Sequence, residues 1–144
     1  MIQRHAEATW EGTLRGGRGT MKLQSQAFEG PFTFASRFEQ GRGTNPEELI
    51  GAAHAGCFSM AFAAELERAG FPPQEVHTRA TVTLERTDAG FRITRIHLET
   101  EARVPGIEAT TFQEIAERAK NGCPVSNLYQ GADITLRARL LPES

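Results

Sequence analysis

Cysteine is scarce in this chain: Cys57 and Cys123 are the only 2 in 144 residues. A secreted, disulfide-stapled mini-domain carries more, so two thiols in a chain of this length are expected to stay reduced or to work as a chemical pair. Charge of one sign is lacking too. Lys and Arg number 16 against 18 Asp and Glu, for a formal net charge of −2, which offers no electrostatic footprint for nucleic acid or for an anionic membrane. Long hydrophobic runs are missing. The longest uncharged stretch, Leu49 to Ala64, is broken by glycines, His54 and Ser59 and falls short of the ~18–20 apolar residues a membrane span requires. Met1 to Gly12 contain no apolar signal core, so export is not expected and the cytoplasm is the expected compartment. His5, His77 and His97 are scattered and give no zinc-ligand spacing with Cys57. The Gly16–Gly17–Arg18–Gly19 cluster lacks the lysine of a phosphate-binding loop. Neither a metal nor a cofactor is expected.

What remains is the pattern of one domain spanning residues 1–144, a length that can bury a core of its own or share one with a partner. Arg4 to Leu14, Met21 to Gln26 and Phe32 to Phe38 predict three strands of an antiparallel meander, separated by glycine-rich turns. Asn45 as N-cap, Pro46 at the first helical position and Glu48 closing a capping box predict a helix start. The helix is expected to run to Ala69 and stop at Gly70. Its middle is apolar nearly all round, which predicts burial on most faces, within the domain or between subunits. Val76 to Leu84 and Phe91 to Val104 predict two long strands joined by an Asp88–Ala89–Gly90 turn, with one slip of phase in the second, as at a bulge. Thr111 and Glu114 predict a capping box opening a helix that ends at Gly122. Ile134 to Leu140 form a last strand. Three strands, helix, two strands, helix and strand make an α+β fold.

The two cysteines sit in different surroundings. Cys57 lies in the apolar helix, with Ile50, Ala53, His54, Phe58 and Ala61 on or beside its face. Buried cysteine usually behaves as an inert small hydrophobe, and an apolar site raises the thiol pKa, so reactivity there requires a nearby cation. Cys123 directly precedes Pro124, a position pushed out of helical geometry, which sets its thiol at a bend. His54, one turn before Cys57, is either a core residue or a base for the thiol.

Several stretches together carry a resemblance. They are Trp10–Glu11–Gly12, Ser36–Arg37–Phe38–Glu39, Gly43–Thr44–Asn45–Pro46–Glu47–Glu48–Leu49–Ile50, Ala52–Ala53–His54–Ala55–Gly56–Cys57–Phe58–Ser59–Met60, Asp88–Ala89–Gly90–Phe91, Val104–Pro105–Gly106–Ile107 and Gly122–Cys123–Pro124–Val125–Ser126. In this order and spacing the chain resembles the OsmC/Ohr family, near its OsmC branch. The resemblance implies an intertwined homodimer in which antiparallel β-sheets wrap long central helices. It implies a peroxidase of oxidative and osmotic stress defence that takes organic hydroperoxides and uses no metal or haem. It further implies Cys57 as the attacking thiol, Cys123 as its disulfide partner, Arg37 as the catalytic arginine, Glu47 as the carboxylate orienting it, and a dithiol reductant of the lipoyl type. In the Ohr branch the arginine comes from a Gly-Gly-Arg turn, so Arg18 is a second candidate beside Arg37.

Peroxide cleavage needs an ionised sulfur, a donor for the leaving oxygen and an in-line approach. An arginine fork can favour the thiolate and hold both peroxide oxygens, and each unit of pKa it supplies is worth ~1.4 kcal/mol. Phe32, Phe34, Phe38, Ile50, Phe58 and Met60 are the expected apolar wall for an alkyl hydroperoxide. A difficulty is geometric. Ten residues of straight helix put Glu47 ~15 Å from Cys57 along the axis. Either the helix breaks near Gly51, or Arg37 spans the gap, or the parts come from two chains. Two rivals remain: a non-catalytic dimer that senses redox state or binds an apolar ligand, and a thiol hydrolase using His54 as base.

Overall fold

The structure, a computed structural model, describes residues 1–143. The chain divides into two compact units, Met1–Leu49 and Ile50 onward. The first is a three-stranded antiparallel sheet of β1 (Ala6–Glu11), β2 (Arg18–Leu23) and β3 (Glu29–Phe32) in that order. Trp10 faces Gly19 on β2, and Gly19 faces Phe32 on β3. A Cβ at Gly19 would meet the Phe32 ring at 2.5 Å and the Trp10 ring at 2.7 Å, so glycine lets the two rings close over β2 at 5.3 Å between centroids.

The expected strand from Phe32 to Phe38 is corrected. The segment leaves the sheet after Phe32 and forms the short helix α1 (Phe34–Phe38). Thr33 and Ser36 cap each other reciprocally, Ser36 N–H donating to Thr33 Oγ1 at 3.0 Å and Thr33 N–H to Ser36 Oγ at 2.8 Å. The alternating phenylalanines suggested a strand, but Phe34 and Phe38 are also four apart and stack at 4.9 Å on one helical face. Ser36 Oγ donates on to the Thr44 carbonyl, and Asn45 Nδ2 to the Ser36 carbonyl, tying α1 to the next helix start.

Helix α2 (Pro46–Arg68) runs unbroken through Gly51. Asn45 Oδ1 accepts from Glu48 N–H at 2.8 Å as the cap residue should, while the Glu48 carboxylate accepts from the Thr44 hydroxyl. At the far end Gly70 adopts φ +91, Gly70 N–H reaches the Glu67 carbonyl and Phe71 N–H the Leu66 carbonyl. This pair of bonds is a Schellman stop, which the left-handed glycine makes possible.

In the second unit β4 (Glu75–Thr87) and β5 (Gly90–Arg103) form a long hairpin, and Thr94 is the extra residue of a bulge opposite Thr83–Leu84. The slip of phase between Ile93 and Ile96 is this bulge. Helix α3 (Ala109–Gly122), the single turn α4 (Pro124–Leu128) and β6 (Asp133–Leu140) follow. The capping box expected at Thr111 is corrected. The helix starts at Ala109, and Glu108 is the cap without a side-chain bond. Its inner stripe begins at Phe112, whose N–H bonds the Glu108 carbonyl, so a turn must already be wound there. The sheet order is β4-β5-β6, and β6 lies parallel to β5, so antiparallel pairing does not hold throughout. The α3–α4 crossover returns the chain to the sheet in β5's own direction.

The core sits on the face of β5 that carries Ile96, Leu98 and Ala102. Phe58, Phe62 and Leu66 of α2 and Phe112, Ile115, Ala116 and Ala119 of α3 cover it. The two helices meet at Phe62 and Phe112, 5.3 Å between ring centroids. Only one stripe of α2 is buried, through Gly51, His54, Phe58, Phe62 and Leu66. Ala52, Ala53, Gly56 and Met60 are exposed, Met60 at 76%. By length and composition α2 could cross a membrane, yet its buried stripe forms the inner wall of this core.

Candidate active site

The second unit brings the two cysteines together. Cys57 lies midway along α2, beside the buried stripe, and is partly exposed. Cys123 is fully buried where α3 ends, held out of the helix by the following proline. Both are free thiols, with the Cys123 S–H donating to Cys57 Sγ at 2.9 Å. Burial pushes the Cys57 thiol above its ordinary value. The Cys123 thiol adds to this as hydrogen-bond partner and as a neighbouring charge, while a backbone hydrogen bond from Val125 pulls the other way. In the isolated chain Cys57 therefore favours its protonated form.

His54 is fully buried on α2. Its Nε2 shares a 2.7 Å hydrogen bond with Ser126 Oγ, its Nδ1 has no partner, and Tyr129 stands edge-on at 5.4 Å. Burial lowers its pKa, so the ring is neutral around pH 7. Its bonding nitrogen is turned to Ser126 rather than to Cys57, which removes the arrangement a hydrolase-type base requires. Sequence reasoning missed Ser126 as its partner. The signal was present in the Cys123–Pro124–Val125–Ser126 motif, but nothing in a linear pattern says which side chain a buried histidine will meet. The Val125 contact could not be foreseen, since a backbone group makes it.

The first unit brings Arg37 and Glu47 together. Arg37 Nε donates to Glu47 Oε1 at 3.1 Å and Nη2 to Oε2 at 2.9 Å, a bidentate pair. The Glu47 side chain is 10% exposed and that of Arg37 38%. Placing Arg37 on α1 rather than on a strand, and Glu47 on the first turn of α2, is what aligns the two forks. Arg37 also lies over the Phe38 ring at 5.2 Å. Trp10, Leu14, Phe32, Phe34, Phe38 and Arg37 line a cavity of about 250 Å³. Arg18 is exposed at the start of β2 and makes no ion pair among the described residues.

The expected apolar wall divides. Phe32, Phe34 and Phe38 line this cavity. Ile50 lines a separate one of about 280 Å³ with Ile93, Ile96 and Tyr129. Phe58 lines neither cavity; it faces inward on α2, is fully buried and packs on Phe62. Because α2 does not break at Gly51, that way of bringing Glu47 to Cys57 is removed. No group of three or more His, Cys, Asp or Glu suited to a metal ion occurs among the described residues.

An α+β fold with two thiols in contact and a separately anchored arginine defines a protein with a two-cysteine centre. The chain belongs to the OsmC-like protein family, whose model matches residues 39–137. Peroxiredoxin OsmC of Escherichia coli (strain K12) is 50% identical over 140 residues, which cover 96% of this chain and 97% of that protein. The organic hydroperoxide resistance protein of Xanthomonas axonopodis pv. citri (strain 306) is 35% identical over 98 residues, 67% of each. Among solved structures, the OsmC like protein from Mycoplasma pneumoniae matches with a TM-score of 0.76 at 18% identity, covering 98% of this chain and 99% of that one. OhrB of Bacillus subtilis matches with a TM-score of 0.70 at 21% identity, covering 94% and 98%. At such identities these structures speak for the fold.

Proposed function

We propose that this protein is a cytoplasmic thiol peroxidase that reduces organic hydroperoxides to alcohols, in defence against oxidative and osmotic stress. The names of its relatives, a peroxiredoxin and organic hydroperoxide resistance proteins, favour this class. The observation that carries the reading is the approach of Cys57 Sγ and Cys123 Sγ to 2.9 Å across the unit's core. The Cys57 thiolate attacks one peroxide oxygen, the O–O bond breaks, and the departing alkoxide takes a proton to become the alcohol. Cys57 is left as a sulfenic acid, an oxidation step that remains reversible. The Cys123 sulfur then displaces its hydroxyl as water and closes the disulfide, which a dithiol of the lipoyl type reopens by exchange. No metal or other cofactor takes part.

A thiol pushed up by burial needs a cation to ionise at neutral pH. Arg37, fixed by Glu47, is that cation, and its remaining N–H donors hold the peroxide oxygens. Arg18, with no ion pair among the described residues to orient it, is the secondary candidate. The two halves of the chemistry are joined in a homodimer, Arg37 and Glu47 of one copy serving Cys57 of the other. Two features favour this: the ~15 Å of unbroken helix that separates Glu47 from Cys57 along α2, and the uncovered apolar face of Ala52, Ala53, Gly56 and Met60. The aromatic cavity beside Arg37 takes the alkyl group of the substrate. Hydroperoxide consumption with a dithiol reductant tests the proposal. Cys57→Ser is expected to abolish turnover, and full turnover in that variant would end it. An apolar-ligand-binding dimer would consume no peroxide, and a redox sensor only what oxidises its own thiols.

A further inference from the structure

Helix α4 is a single turn of 5 residues, too short to hold itself, yet it must keep Cys123 against α2 through a change in the chemistry of Cys57. Among the described residues its polar ties to α2 are few. The Cys123 thiol and the Val125 backbone both bond the Cys57 sulfur. The third tie is Ser126 Oγ to His54 Nε2 at 2.7 Å. The first two end on the reacting sulfur and change in character when it carries oxygen. The third does not involve that sulfur, so oxidation of Cys57 leaves its two partners chemically unaltered.

We propose that His54 and Ser126 are positioning residues which hold Cys123 within reach of Cys57 while Cys57 is a sulfenic acid. The inference rests on the peroxidase reading above. Both side chains are removed from solvent, His54 completely and Ser126 at 5% exposure. His54 Nδ1 is buried without a partner, a cost an apolar side chain of similar volume would avoid. The bond made by Nε2 is therefore what a histidine supplies here. Tyr129, which follows α4, packs edge-on against the same ring, so α4 is gripped near Ser126 and just beyond its end. Ser126 lies three residues after Cys123 on the turn that Cys123 caps, and Asn127 N–H bonds the Cys123 carbonyl at 3.1 Å. Cys123 N–H bonds the Ala119 carbonyl at the end of α3, so Cys123 is held from both sides, and Ser126 anchors the α4 side.

The step served is closure. The Cys123 sulfur attacks the Cys57 sulfur, the S–O bond breaks, and hydroxide leaves with the Cys123 proton as water. Cys57 sulfur is reduced by one electron equivalent and Cys123 sulfur oxidised by one. The competing path is attack of a second hydroperoxide on the sulfenic acid, giving a sulfinic acid. The pair acts by shortening the time the sulfenic acid stays open.

Single-turnover mixing with an alkyl hydroperoxide, followed by mass spectrometry of trapped sulfenic acid, disulfide and sulfinic acid, reads attack and closure separately. For Ser126→Ala, which removes one oxygen, sulfenic acid formation is expected within about twofold of the unaltered protein. Closure should slow about tenfold, since small misplacements of reacting atoms carry penalties of that order or more. The sulfinic fraction should rise correspondingly. In His54→Phe, which keeps an aromatic ring, closure should slow similarly, and adding Ser126→Ala should slow it no further, because the two act as one unit. Closure at the unaltered rate in Ser126→Ala, or additive defects in the double variant, overturns the proposal. So does a parallel fall of attack and closure with a lowered melting temperature, which makes the bond merely structural. Absence of both sulfenic acid and disulfide from the peroxide-treated unaltered protein overturns the peroxidase reading and this inference with it, a result distinct from the other three.

Discussion

Glu47→Gln separates the charge that holds Arg37 from the shape of the site. Two charge-assisted hydrogen bonds, at 3.1 and 2.9 Å, fix the guanidinium in the unaltered chain. Glutamine keeps one acceptor oxygen, loses the negative charge and sets an amide N–H₂ against a guanidinium nitrogen. Hydrogen bonds to charged groups contribute about 1.5–3 kcal/mol each. Arg37 is 38% exposed, so water compensates part of the loss. A reduction in anchoring of about 1–2 kcal/mol follows, and if that anchoring is expressed in the transition state, kcat/KM falls about five- to thirtyfold. The assay is steady-state reduction of an alkyl hydroperoxide with excess dithiol. Because Glu47 acts only by positioning Arg37, Glu47→Gln should lower kcat/KM little further in an Arg37→Ala background. An unchanged kcat/KM in Glu47→Gln, or full additivity with Arg37→Ala, would refute the assignment of Glu47 as the anchor.

Three other expectations concern the fold and the assembly. Phe62→Ala removes a fully buried ring stacked between Phe58 and Phe112 and should cost about 3–5 kcal/mol in urea unfolding, and a loss under 1 kcal/mol would contradict the packing described. The folded-state pKa of His54 is depressed below 6.5, so the unfolded chain takes up the proton more readily. The stability this contributes is present above pH of about 6.5 and is lost as pH falls toward the folded value, so His54→Phe should flatten the acid limb of a urea-midpoint profile, and an unaltered limb would be the contrary result. Met60→Glu places a charge on the uncovered face of α2 and should shift the proposed dimer to monomer in sedimentation, and a dimer of unchanged affinity would remove that face from the proposed interface.

Much of the fold was legible because local chemistry marks it. Asn45 before Pro46, and Gly70 after the helix, act through caps that need no distant residue, and both behave as their type demands. The bulge at Thr94 was visible as a slip of alternation. Where the local pattern was ambiguous, tertiary context chose. Phe34 and Phe38 satisfy both a strand's alternation and a helix's four-residue spacing, and the Thr33–Ser36 cap decided for the helix. Thr111 had the chemistry of a cap, but the inner stripe from Phe112 set the start of α3 earlier. The parallel course of β6 depends on where a crossover returns, which no residue in β6 encodes. At the candidate site, residue types and the family resemblance indicated the two cysteines and the Arg37–Glu47 pair. The link from His54 to Ser126 joins residues 72 apart and carries no periodic signature.

The parallel pairing of β6 with β5 has a bearing on biosynthesis. Segments remote in sequence must meet before such a ladder forms, and entropic barriers of that sort make it a slow event in folding. Cys123 lies on the crossover that delivers β6, while Cys57, 66 residues earlier, emerges from the ribosome well before it. The meeting of the two sulfurs is thus a product of maturation, and a nascent or half-assembled polypeptide has no ready route to an intramolecular cross-link.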